Sequence, residues 1–162
     1  MSLCSPRAPR LLAAASFLLM AACSTNNPSP TDVLRAVITV GTDPNPVPVV
    51  AATRLGSAFS ARFKVVIKEI AGQGGEVQVV TSTLYEEASG AIVGLVTYDT
   101  SALIVFVGEK RVEANGTLEV PIQIDYTNPS DATVGTARLH VLVNLKDDRG
   151  NIVSSSALVR VQ

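Results

Sequence analysis

The chain has 162 residues and no tryptophan, and it contains a single histidine, His140, and only two cysteines, Cys4 and Cys23. One imidazole without a second histidine gives no zinc-ligand spacing and no paired acid–base chemistry. No Gly-x-Ser-x-Gly elbow surrounds Ser154, Ser155 or Ser156. Gly72-Gln73-Gly74-Gly75 is not followed by the Lys and helix that a phosphate-cradling loop needs. Charge is also sparse, with 13 Lys and Arg against 14 Asp and Glu, so no basic footprint for nucleic acid exists. These absences argue against an enzyme and require no cofactor or metal.

What the sequence does have begins at its N-terminus. Arg7 and Arg10 precede an apolar run from Leu11 to Met20, which Ala21-Ala22-Cys23 closes. A positive segment, a short apolar segment and small residues before a cut make a secretory signal. Leu11 to Ala22 is only 12 residues, against the roughly 20 that a membrane-spanning helix needs. A cysteine directly after two alanines resembles the lipobox of bacterial lipoproteins, with Met20 where leucine is usual. The resemblance implies cleavage of residues 1–22, lipidation of Cys23 and anchoring in a bacterial cell envelope. Two or three acyl chains on one residue hold far better than the marginal binding of a single chain. In the sorting pattern of enterobacterial lipoproteins that this segment resembles, Ser24 rather than Asp after the cysteine favours the outer membrane where the cell has one, with the face left open.

The expected organisation follows: a signal peptide over 1–22, a lipidated Cys23 with a flexible tether over 23–32, and one domain over 33–162. Ser24 to Thr31 is polar and holds two prolines, so it suits a semi-extended tether. Removing the signal takes Arg7 and Arg10, leaving 11 basic against 14 acidic residues in 140. Cys4 leaves with the signal and lipid consumes Cys23, so the domain must rely on packing rather than disulfides.

From Val33 onward the pattern is strand after strand. Phe59, Ala61, Phe63, Val65 and Ile67 alternate with Ser60, Arg62, Lys64 and Lys68. Leu118, Val120, Ile122, Ile124 and Tyr126 form a second such series; Leu139, Val141, Val143 and Leu145 form a third. One apolar and one wet face marks antiparallel sheet. Strands are expected near 33–40, 47–52, 59–70, 76–86, 91–98, 102–107, 110–114, 117–126, 136–146 and 152–161, some of them merging. Asn115-Gly116 is a strong hairpin signal between its two neighbours. Asn128-Pro129-Ser130-Asp131 and Asp147 to Asn151 are further turns, and Pro44, Pro46 and Pro48 suit an edge.

The fold class is therefore all-β: a single antiparallel two-sheet sandwich of seven to nine strands. The segment from Val112 to Ile124 and the closing hairpin from Ala137 to Val161 resemble immunoglobulin-like and fibronectin type III-like domains of bacteria. The antibody cysteine pair and core tryptophan are absent. The resemblance implies the sandwich and leaves its task open, since such folds host many roles.

Candidate binding residues are few. Asp147, Asp148 and Asn151 form one possible calcium loop, Glu86 and Glu87 a second, Asp43 and Asn45 a third, but none has EF-hand spacing and a solvated turn is the better reading of each. Phe59, Phe63 and Phe106 are expected in the core, Tyr126 at its rim, and Tyr85 and Tyr98 at the surface. The expected function is a non-enzymatic, membrane-anchored lipoprotein whose sandwich is an interaction or structural module of the envelope. An envelope protein is its expected partner, and the segments 47–52 and 91–98 are the edges where pairing is expected. A carbohydrate- or calcium-assisted binding module is the alternative.

Overall fold

The computed structural model describes residues 35–162. Cys23, the signal segment and the tether expected over 23–32 lie outside the described residues.

Among the described residues, nine strands and one helix follow each other as β1 (Ile38–Asp43), β2 (Val49–Ala51), β3 (Phe59–Glu69), β4 (Gly75–Glu86), β5 (Ile92–Asp99), α1 (Thr100–Val107), β6 (Arg111–Val112), β7 (Thr117–Tyr126), β8 (Ala137–Asp147) and β9 (Ile152–Val161). They form an antiparallel two-sheet sandwich. In the first sheet β3 pairs β7 on one side, while β1 and then β2 share its other side. The second sheet has the order β5-β4-β8-β9, with β6 continuing the β5 side along the start of β4. Inward residues of both sheets make one core, including Ile67, Val80, Leu84, Leu118, Leu139 and Leu145. The three alternating series expected from sequence are the inward rows of β3, β7 and β8.

Between β1 and β2 the chain leaves the first sheet. The N–H of Val47 donates to the Arg160 carbonyl at 2.9 Å, and that of Gln162 to the Val47 carbonyl at 3.0 Å. Val47 thus lies parallel to the end of β9 and stitches the second sheet to the first. Pro44, Pro46 and Pro48 flank this crossing, consistent with a segment that cannot run as one regular strand. The expected edge at 47–52 does hold a short edge strand, β2, which pairs β3, and Val47 before it connects the two sheets.

Two local expectations fail. The stretch expected as a strand over 102–107 is helix α1. The Asp99 side chain accepts the N–H of Ala102 at 2.8 Å as N-cap, and Gly108 ends the helix in the left-handed region at φ 87°. An aspartate cap and a glycine stop confine the apolar Leu103 to Val107 run to two turns. Asn115-Gly116 does form a turn, with Asn115 at φ 56° and the Gly116 N–H donating to the Glu113 carbonyl at 2.8 Å. It does not close a hairpin, because β6 pairs β4 and β7 pairs β3. It is a corner between sheets, docked on the end of β3.

At the lateral edge, Gly94 of β5 faces Ile124 of β7 across the core. A Cβ on Gly94 would lie 2.3 Å from Cγ2 of Ile124. Gly94→Ala is therefore expected to cost about 1–3 kcal/mol by overpacking. Chemical denaturation checks this, and in combination with Ile124→Ala the loss should fall below the sum of the single losses.

Candidate functional site

The inward rows end in acids. Glu69 continues the phase of Phe63, Val65 and Ile67; Glu86 continues that of Val80, Ser82 and Leu84; Asp147 continues that of Leu139 to Leu145. All three are buried, at 2%, 2% and 4% exposure. A carboxylate at such a place must be saturated with hydrogen bonds, and each one is.

Glu69 accepts four backbone N–H groups. Oε1 takes Val37 at 3.2 Å and Ala71 at 2.8 Å; Oε2 takes Gly72 and Asn115, each at 2.9 Å. Burial pushes its carboxyl upward, and the four N–H groups overcome that and hold it below the usual carboxylate range. Asp147 accepts Ala36 N–H at 3.3 Å, Arg149 N–H at 3.0 Å and Asn151 N–H at 2.7 Å, and both its oxygens receive the Asn151 amide. Burial again pushes upward, and the Asn151 side chain with these N–H groups prevails downward. Val37 and Ala36 are neighbours, so the two acids together clamp the place where the chain enters β1. Glu86 binds the hydroxyls of Ser89 and Ser130 and the N–H of Ser130. Those hydroxyls and that N–H lower its carboxyl against the cost of burial.

These partners decide what the candidate calcium loops contain. Asp147 is buried and spends its oxygens on its own turn and on Ala36, while Asp148, Arg149 and Gly150 of that turn are exposed. Asp148 forms a two-pronged pair with the Arg111 guanidinium, 2.8 Å at each contact, and Glu113 flanks the same arginine. Glu87 is exposed beside the buried Glu86, and Asp43 and Asn45 are exposed on the crossing between sheets. Among the described residues, no three His, Cys, Asp or Glu side chains converge as a metal cluster.

His140 is half-buried on the outer face of the second sheet, opposite Thr83 and Leu158. Ser154 and Ser156 share that face, and Ser154 Oγ donates to Asn144 Oδ1 at 2.7 Å. A cavity of about 380 Å³ opens between Glu86, Asn128, Ser130 and Thr136. Asn128 donates to the carbonyls of Val134 and Thr136 at 2.6 and 3.0 Å, holding the loop that forms one wall. Tyr126 reaches the same loop through its hydroxyl, which donates to the Gly135 carbonyl. Burial pushes the Tyr126 phenol up to about 12, so it stays a neutral donor.

The aromatic residues divide differently from expectation. Phe63 is buried and Phe59 half-buried against Tyr126, with ring centres 5.7 Å apart. Phe106 is 63% exposed on α1, where it stacks on Tyr98 of β5 at 5.4 Å. Helix geometry causes the difference: a strand would alternate its apolar residues inward, whereas two helical turns bury Leu103 alone and leave one side facing out. Ile104 and Val105 accompany Phe106 on the exposed side, at 51% and 75% exposure. Three consecutive large apolar side chains of this helix are thus left largely exposed to water. The signals for this helix were Asp99 and Gly108, placed as cap and stop around the apolar run. Among the described residues no helix is long and apolar enough to cross a membrane.

No family model matches the sequence, and no curated protein matches it. Solved structures do resemble the fold. A Bordetella pertussis protein designated ApaA aligns at TM-score 0.53 and 12% identity, covering 76% of this chain and 93% of that one. The structural-genomics target SoR45 aligns at TM-score 0.51 and 11% identity, covering 78% and 85%. At such identities the likeness concerns the fold alone.

The carboxylate clamp has a pH signature. The folded values of Glu69 and Asp147 lie below the ordinary values of about 4.3 and 3.9. Their stabilisation is complete above those ordinary values and is lost as pH falls through them toward the folded ones. The melting temperature should be flat from pH 7 to about 5.5 and fall steeply below about 4.5. Glu69→Gln should lower stability at pH 7 by about 2 kcal/mol and flatten the acid slope; an unchanged slope would remove Glu69 from the account.

Proposed function

We propose that the chain is a non-enzymatic lipoprotein of a bacterial cell envelope, held by lipid on Cys23. Its sandwich, an immunoglobulin-like or fibronectin type III-like module, serves protein interaction. The anchor rests on the signal pattern of residues 1–23. The module assignment draws support from strand order: a β1-β3-β7 sheet facing a β5-β4-β8-β9 sheet has the connectivity of a sandwich whose second, third, sixth and seventh strands occupy these places. The observation that carries the interaction role is the exposed apolar side of α1 with Ile104, Val105 and Phe106. This patch sits on a capped helix beside an edge strand, so its geometry is fixed before any partner arrives, which lowers the entropic cost of binding. Its apolar character suits a protein partner, whose binding would cover the three side chains.

The anchor and the patch separate in experiment. Cys23→Ser should move the protein out of the membrane fraction and remove the mass of the acyl chains; unchanged attachment and mass would end the lipoprotein reading. Val105→Lys with Phe106→Lys should leave the melting temperature within a few degrees, because both side chains are mostly exposed and only the Phe106–Tyr98 stack is lost. Photocrosslinking from position 104 in the native envelope should capture a discrete partner that this double variant loses. Capture equal in both forms would take the interaction away from α1.

A further inference from the structure

The sandwich has four lateral edges, and three are blunted. On the first sheet, the β7 edge holds Pro121 in mid-strand with Glu119, Gln123 and Asp125. The opposite edge is broken into β1 and β2 by Pro44, Pro46 and Pro48. On the second sheet, β5 has Gly94 in mid-strand and a register shift opposite it, and its end is packed by α1. Proline, charge, bulges and covering elements are the devices by which proteins prevent edge pairing. β9 has no proline, charge or bulge from Ile152 to Val159, although β1 runs close beside it: the sequence Ile-Val-Ser-Ser-Ser-Ala-Leu-Val is regular and uncharged, and Arg160 is the first charge.

The hydrogen-bond phase shows which groups this edge offers. Asp147 N–H donates to the Asn151 carbonyl, and Val47 N–H donates to the Arg160 carbonyl from the opposite side. Odd-numbered residues of β9 therefore bond β8, and even-numbered ones face outward. The turn after Asp147 bounds the open stretch at one end, and the Val47 crossing bounds it at the other. Ile152, Ser154, Ser156 and Leu158 present their N–H and C=O groups along it, without a partner among the described residues.

This stretch is nearly palindromic about Ser155. Reversed, it sets Ile152 against Leu158, Val153 against Ala157 and Ser154 against Ser156. We propose that two copies of this chain pair antiparallel through β9, about a two-fold axis at Ser155, making one continuous sheet across both molecules. In that register every outward-facing residue of the open stretch meets another outward-facing residue, so both backbones are satisfied along its whole length. Ile152 and Leu158, 61% and 69% exposed, gain each other as cross-strand neighbours at two symmetric places. Serine against serine at the centre brings no charge repulsion. The proposal is independent of the lipid anchor and of α1.

Ser155 would face its own copy as a non-hydrogen-bonded pair, with Cα atoms about 4.5 Å apart. Ser154 and Ser156 would lie about 8 Å from their own copies, given a rise of about 3.4 Å per residue, which is beyond disulfide reach. The whole chain with Cys4→Ser and Cys23→Ser, purified and given oxidised glutathione, should crosslink as a Ser155→Cys dimer at least tenfold more than as Ser154→Cys or Ser156→Cys. Sedimentation of the chain should show a concentration-dependent dimer. Ser156→Pro removes an outward N–H and no β8–β9 ladder bond, so it should give a monomer; Ser156→Lys repeats the test by charge. A chain monomeric at 100 micromolar or so, equal crosslinking at the three positions, or a dimer that survives both substitutions would each overturn the proposal.

Discussion

The Glu69 carboxylate closes one end of the sandwich. Its four backbone N–H donors come from three separate places: the entry to β1, the turn after β3, and the corner between β6 and β7. A disulfide joins two points, whereas this acid joins three, and no cysteine is present among the described residues to do so otherwise. Asp147 adds the neighbouring residue of the entry and the turn between β8 and β9. The first described residues are thus bound by both sheets, through one acid at the end of β3 and another at the end of β8. A pull on the chain at Arg35 acts first on these charge-assisted bonds rather than on the core. For a module tethered at its N-terminus, as proposed, that is the place where the attachment must hold.

The same constraint explains the corner at Asn115-Gly116. Local chemistry alone would allow a hairpin there, since Asn115 adopts the left-handed conformation that such turns need. Glu69 instead takes the Asn115 N–H, and the Glu69 N–H donates to the Gly116 carbonyl at 3.0 Å. Both ends of the exchange lie on β3, so β7 leaves the corner along β3 and not along β6. Non-local hydrogen bonding overrides turn propensity here.

That pattern describes what sequence could and could not yield. Alternation in β3, β7 and β8 was legible because one face of each strand is wet. Sheet membership was not, because a turn looks alike whether its strands pair with each other or with two different sheets. The run from Leu103 to Val107 has the composition of a strand, and only the cap at Asp99 and the stop at Gly108 distinguish it; that misreading also sent Phe106 to the core. The three buried acids were within reach. Glu69, Glu86 and Asp147 each hold the next inward position after an apolar row, where a solvated charge has no place. An acid in apolar phase at a strand end is a readable sign of a backbone-binding carboxylate. Nothing comparable bears on Cys23, whose proposed lipidation rests on the sequence of the segment before it.

The order β5-β4-β8-β9 keeps the two exposed features apart. The apolar side of α1 stands at the β5 edge, and the unguarded edge is β9, three strand spacings away, or about 14 Å. Pairing through β9 would therefore leave both α1 patches uncovered and carry them to the outer ends of one sheet, seven spacings or about 34 Å apart. Short helices with three exposed apolar side chains bind weakly one at a time. Two of them at a fixed distance act together, and effective concentration can then raise overall binding by about 10²–10⁴ without a new contact. A partner with repeated sites along a surface would be held by the pair and released by the single copy. On this view the bareness of β9 and the apolar side of α1 are not two unrelated oddities of the surface. The first would set the spacing at which the second is presented.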